Sequence, residues 1–148
     1  MTTLLLMFLF VFGPSRKPVL TDHSKNCPVL VTRIDVYNGA TGGILAPNMA
    51  FDYKNVSDKQ LMAIKVGPVV AYNAFGKPSQ PLFTIIDTHL NPGKKFYGWV
   101  REEWWYTDPS GAENGADVSL SAVAFQDGST WTADADHVCK ASLRYVTK

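Results

Sequence analysis

Turn-forming residues set the strongest constraint on this chain. They recur at fairly even intervals, and the segments between them are short, rich in Val, Ile and aromatic residues, and without a sustained helical period. Asn38-Gly39, Gly42-Gly43, Ser57-Asp58-Lys59, Gly76-Lys77-Pro78, Asn91-Pro92-Gly93 and Asp127-Gly128 all carry turn chemistry. Gly supplies positive φ, Pro presets φ and lacks an amide donor, and Asn or Asp bonds back to its own turn. Runs of this length between such breaks read as strands. With no crossover helices, the strands pair antiparallel and bury one face against a second sheet. The expected fold is all-β, a two-sheet antiparallel β-sandwich with about seven strands.

The expected strands cover residues 29–37, 49–55, 61–75, 82–87, 95–106, 117–125 and 129–132. In the second, Met49, Phe51 and Tyr53 alternate with Ala50, Asp52 and Lys54, so one face is buried and the other wet. In the third, Met62, Ile64, Val66, Val70 and Tyr72 share one parity, and Pro68 predicts an edge or a bulge because it cannot donate to a ladder. In the tail, residues 134–146, Val138, Ala141, Ser142 and Tyr145 fall at helical spacing with Asp136 as an N-cap. The spacing favours a short C-terminal helix or irregular tail over a strand carrying Cys139.

A length of 148 residues fits one domain, and an apolar fraction of 46% with 18% charged residues fits an ordinary globular core. The net charge of +1, with Lys and Arg spread along the chain, argues against nucleic acid as a partner. Residues 4–12 form an uncharged apolar run too short to span a bilayer as a helix. They fit the apolar core of a secretory signal peptide, although no basic residue precedes them and no small-x-small cleavage site follows. The alternative is a hydrophobic N-terminal strand. Residues 1–18 are therefore assigned to a leader and 19–148 to a single sandwich domain, secreted or periplasmic, with no integral membrane span once the leader is removed. Cys27 and Cys139 are the only cysteines. A disulfide between them fits an oxidising compartment. Lipidation of Cys27 is disfavoured by the polar His23-Ser24-Lys25-Asn26 before it.

Three ordered motifs carry a resemblance. They are Phe51-Asp52-Tyr53-Lys54-Asn55-Val56-Ser57; Ala63-Ile64-Lys65-Val66 continuing to Val70-Ala71-Tyr72-Asn73-Ala74-Phe75-Gly76; and Val123-Ala124-Phe125-Gln126-Asp127-Gly128-Ser129-Thr130-Trp131. With the turn Leu90-Asn91-Pro92-Gly93, they make residues 49–131 resemble immunoglobulin-like or fibronectin-like domains of bacterial secreted proteins and lipoproteins. The resemblance implies a sandwich fold and little about function, since sandwiches host many functions. The N-terminal segment and the cysteine pair lie outside it.

Chemistry-bearing patterns are sparse, so the expectation is no enzyme, no cofactor and no metal. His23, His89 and His137 show no metal-binding spacing. Asp87-Thr88-His89 reads as an exposed pair at a strand end. No Gly-x-Ser-x-Gly elbow is present, and the Gly-rich stretch 39–43 is followed by neither a lysine nor a helix. Glu102 and Glu103 point to opposite sides of a strand and do not converge. Asp108, Glu113 and Asp117 bracket an acidic loop that lacks the oxygen density of a calcium site. Asn55-Val56-Ser57 matches a glycosylation acceptor but reads more simply as a strand end and turn.

The most informative functional feature is the aromatic strand. Phe96, Gly98, Val100, Glu102, Trp104 and Tyr106 share one face, and Tyr97, Trp99, Arg101, Glu103 and Trp105 share the other. Exposed Trp and Tyr beside Arg suit a protein or carbohydrate partner, so Tyr97, Trp99, Arg101 and Trp105 are the candidate binding residues. The alternative divides these aromatics between the core and a covering loop. A non-catalytic binding domain is the first functional expectation. A structural or assembly accessory of an envelope or secreted complex is the second, and a small hydrolase-like enzyme the third.

Overall fold

A computed structural model of the chain describes residues 15–41, 44–100 and 114–147. Nine strands follow in order: β1 (Arg16–Asp22), β2 (Val29–Thr41), β3 (Ile44–Asn55), β4 (Leu61–Tyr72), β5 (Leu82–Leu90), β6 (Lys95–Val100), β7 (Gly115–Phe125), β8 (Thr130–Thr132) and β9 (Cys139–Thr147). All pairings are antiparallel. The larger sheet has the order β1-β9-β7-β4-β5, with β8 on β7, and the smaller has the order β2-β3-β6. The two sheets close on one core. Val29, Ile34, Met49, Phe51 and Tyr53 from the smaller sheet meet Leu61, Ile64, Val66, Val118, Leu120 and Leu143 from the larger. The alternation in β3 is as the sequence requires, with Met49, Phe51 and Tyr53 inward.

The tail is where the sequence-based expectation fails. Residues 139–147 form strand β9, not a helix, and no helix occurs among the described residues. Cys139, Ala141 and Leu143 are buried in the core, a period of two that the apparent helical spacing of Val138, Ala141 and Tyr145 conceals. β1 was not expected either. It pairs with β9 from Arg16↔Thr147 to Asp22↔Ala141, so it begins inside the segment assigned to the leader. The described residues thus hold nine strands. Asn38-Gly39 is not a turn: β2 continues to Thr41, which pairs with Ile44 at the start of β3.

β4 carries two register shifts in both of its pairings, between Leu61 and Ala63 and between Val66 and Val69, and a further one against β7 alone, between Lys65 and Val66. The shift between Val66 and Val69 contains Gly67 (φ 140°) and Pro68, so Pro68 sits at a bulge as expected. The bulge moves the buried phase. Val69 and Ala71 face the core, while Val70 and Tyr72 lie across from it, contrary to the single parity drawn through Met62, Ile64, Val66, Val70 and Tyr72.

Cys27 and Cys139 are bonded, with Cα atoms 5.2 Å apart across a sequence separation of 112. The turns are held by side chains bonding back to their own backbone. Asn55 is fully buried. Its Oδ1 accepts from the Ser57 amide (3.0 Å) and hydroxyl (2.7 Å), and its Nδ2 donates to the carbonyls of Lys59 (2.8 Å) and Leu90 (2.9 Å). It thereby ties the β3–β4 turn to the end of β5. Buried Asn73 accepts from the amides of Phe75 and Lys77, and Asp127 accepts from the Ser129 amide.

Candidate functional site

The outer face of the smaller sheet is built in register. Arg33 lies opposite Asp52, and Asp52 lies opposite Tyr97, so the three form one row across β2, β3 and β6. Arg33 Nε donates to Asp52 Oδ2 at 2.7 Å and its NH2 to Oδ1 at 3.3 Å. Such a two-point contact fixes the guanidinium plane. Asp52 holds the guanidinium more firmly protonated than usual, first through this hydrogen bond and then through its charge. Asp35 lies 3.6 Å from the same guanidinium. Asp52 is buried on this face, whereas Tyr97 is 71% exposed.

The neighbouring residue Phe96 turns inward. Its ring centroid lies 5.1 Å from that of Tyr53, which in turn lies 5.7 Å from Phe51. The strand therefore divides its aromatics as the parity requires: Phe96 enters the core and Tyr97 points away from it. Trp99 follows in β6 opposite Ala50. Arg101 and Trp105 lie outside the described residues, as do Glu102, Glu103, Asp108 and Glu113.

A second polar cluster, not singled out by the sequence, lies on the outer face of the larger sheet. Asp117 accepts from Arg144 NH2 (2.7 Å) and from the Tyr72 hydroxyl (3.0 Å), and Lys140 Nζ stands 3.5 Å away. The Arg144 guanidinium also stacks 4.5 Å from the Tyr72 ring centroid, a cation–π contact. Burial alone pushes the Asp117 carboxyl up. Hydrogen bonds from Ser142, Arg144 and Tyr72, with the Arg144 charge, outweigh it and hold the group below the usual carboxylate range. The carboxylate is thus engaged by cations of its own chain, the reverse of an acidic calcium loop. The sequence signal was faint, because these residues come from β4, β7 and β9 and meet only through strand pairing.

Beside this cluster a solvent-open depression of about 300 Å³ lies between the β4 bulge and the loop leading into β9. Pro68, Leu120 and Val138 supply apolar wall, with Asp134, His137 and Lys140 among the lining groups. Asp134 is occupied by its own turn, accepting from the amides of Asp136 and His137 and contacting His137 Nδ1 at 2.9 Å. The contact with His137 is the main reason its carboxyl sits below the usual range.

Asp87 and His89 are both exposed on β5. No group of three or more His, Cys, Asp or Glu side chains suited to a metal occurs among the described residues. The Asn-x-Ser acceptor is structural in this fold. Both Nδ2 hydrogens of Asn55 are donated inside the core, where a glycan has no room. No helix among the described residues is long and apolar enough to cross a membrane. Comparison of the chain with protein-family models, with curated proteins and with solved structures finds no match.

Proposed function

We propose that the chain is a non-catalytic binding domain acting outside the cytoplasm, with its ligand face on the outer side of the smaller sheet. The observation that carries this is Tyr97, 71% exposed in mid-strand and in register with the Arg33–Asp52 ion pair. Phe51, Tyr53 and Phe96 of the same sheet pack toward the core, while Tyr97 stands exposed beside a fixed guanidinium. Such a pairing stacks against sugar rings or anchors a protein side chain. Trp99, Arg101 and Trp105 share the parity of Tyr97 along the sequence and extend the face. The Cys27–Cys139 bond supports an oxidising compartment, and the apolar run at residues 4–12, ahead of β1, fits the core of an export leader. The ordered motifs between residues 49 and 131 support an immunoglobulin-like reading of the sandwich.

The test is substitution of Tyr97, Trp99 and Trp105 by Ala. Affinity capture from the native host and a glycan array provide the readouts, with circular dichroism as the folding control. Loss of the captured partner or glycan signal with the fold intact supports the face. Capture unchanged by all three substitutions rejects it. The mass of the exported protein checks the compartment, since it reports leader removal and the two hydrogens lost to the disulfide.

A further inference from the structure

Phe75 is the most exposed large hydrophobic side chain among the described residues, at 88%. It stands at the tip of the connection between β4 and β5, and that connection is held from within. Buried Asn73 accepts from the Phe75 and Lys77 amides through Oδ1, at 3.0 and 2.9 Å. Its carbonyl accepts from the Gly76 amide (2.8 Å), and its own amide donates to the Lys77 carbonyl (3.1 Å). Gly76 supplies the positive φ of 75° that the turn needs. The backbone therefore fixes a phenyl ring in water, an arrangement preorganised for a surface that withdraws it.

The end of the sandwich that carries Phe75 is also the end where β1 begins. Asn114 joins the two: its Nδ2 donates to the Ala74 carbonyl (3.0 Å), and its Oδ1 accepts from the Arg16 guanidinium (3.4 Å). Arg16, Lys17 and Lys77 are all exposed. The described carboxylates nearest this end are already engaged, Asp117 by Arg144 and Asp35 by Arg33. Asp22, Asp58, Asp127 and Asp134 belong to the opposite end, with the β3–β4 turn and the start of β9. Ahead of β1 the sequence is uncharged from Met1 to Ser15 and holds the apolar run at residues 4–12. Residues 101–113, with Arg101, Glu102, Glu103, Asp108 and Glu113, lie outside the described residues.

We propose that this end docks on an anionic lipid bilayer, with Phe75 entering the headgroup region and Arg16, Lys17 and Lys77 meeting lipid phosphates. One inserted aromatic ring with cations around it is the interfacial combination. A protein interface asks instead for a broad, well-packed apolar centre, and a single projecting ring does not supply one. The apolar run leads into β1 at this same end, so a leader lodged in the membrane brings this end to the bilayer first. The docking goes beyond the ligand face proposed above and does not depend on it. With the strands upright on the bilayer, the outer face of the smaller sheet and Tyr97 stay turned sideways and open.

The test is co-sedimentation of the exported, disulfide-intact protein with vesicles of phosphatidylcholine and phosphatidylglycerol in equal parts, against vesicles of phosphatidylcholine alone. Binding should be weak, reversible and stronger on the anionic vesicles. Phe75→Ser should lower the partition coefficient roughly tenfold. Lys77→Glu should lower it at least about fivefold on the anionic vesicles and leave the neutral ones unchanged. Val56→Ser, an exposed apolar control in the β3–β4 turn, should change neither. An independent readout is a polarity-sensitive dye on Phe75→Cys, whose emission should shift to the blue on anionic vesicles, whereas the same dye on Asp58→Cys should not respond. Equal binding to both vesicle types overturns the proposal, as does binding indifferent to Phe75→Ser and Lys77→Glu. A dye response at position 58 equal to that at position 75 also overturns it. Capture of a soluble protein through Phe75, with no vesicle binding, assigns the tip to a different partner and overturns it too.

Discussion

Replacing Asn55 with Ala removes four hydrogen bonds from a fully buried position. The costs differ. The Ser57 amide and hydroxyl and the Lys59 carbonyl sit near solvent and recover water, so each loses about 0.5–1 kcal/mol net. The Leu90 carbonyl is buried in its contact with Asn55, and stranding it costs about 1–3 kcal/mol. The total is about 2.5–6 kcal/mol, a large fraction of the 5–15 kcal/mol typical of a domain. At this chain length it corresponds to a fall of roughly 8–19 °C in Tm. Urea unfolding followed by Trp fluorescence measures it, and an unchanged m-value shows that the unfolded state is not responsible. Asn55→Asp separates the causes. It keeps shape and acceptor but turns a carboxylate oxygen toward two carbonyls, so it should destabilise at neutral pH at least as much as Ala. A loss below about 1 kcal/mol for Ala, or wild-type stability for Asp, refutes the argument that the donated bonds hold the turn to β5.

Three further outcomes follow from the geometry. Cys27→Ala with Cys139→Ala opens a loop of 112 residues' separation; chain entropy puts the loss at about 4–5 kcal/mol, read as a lower urea midpoint that reductant no longer shifts. Gly115→Ala should destabilise by about 3 kcal/mol or more, because Gly115 has φ 116° and an added Cβ falls on the Leu143 carbonyl; chemical denaturation measures it, and a neutral result counts against the strand pairing drawn there. Burial pushes the Tyr53 hydroxyl up to about 12. Since the folded value lies above the unfolded value of about 10, the stabilisation is complete below pH 10 and vanishes as pH climbs toward 12. Urea midpoints between pH 9 and 12 should fall, with a smaller fall in Tyr53→Phe.

What the sequence revealed and what it hid divide along one physical line. Local chemistry was legible. Turn residues marked most strand ends, Met49, Phe51 and Tyr53 announced the inward face of β3, and Pro68 announced a bulge. Effects that depend on distant partners were not. β9 alternates Cys139, Ala141 and Leu143 inward, but its outward Lys140, Ser142 and Arg144 make sense only once Asp117 and Tyr72 stand beside them. β1 is exposed along its whole length, so no alternation betrays it, and its pairing with β9 is wholly non-local. The bulge at Gly67-Pro68 was foreseen but its effect on the phase of Val70 and Tyr72 was not, since a one-residue slip changes which face every later side chain takes. For the candidate site, the parity of the aromatic strand was readable, while the Arg33–Asp52 pair beside Tyr97 arises only from the register of β2 on β3.

The disulfide has a mechanical consequence. It makes residues 27–139 a covalent ring, and the strands outside the ring, β1 and most of β9, are paired with each other. Arg16 and Thr147, register partners, leave the domain side by side. Tension applied between them peels β1 from β9 one rung at a time, the weakest way to load a strand pair, and runs out about 35–40 Å of slack, while β9 stays held by β7. The unzipping then stops at the sulfur bond. Force from a tether at these two points therefore bypasses the ring, and the Tyr97 face and the core keep their shape while the fringe yields.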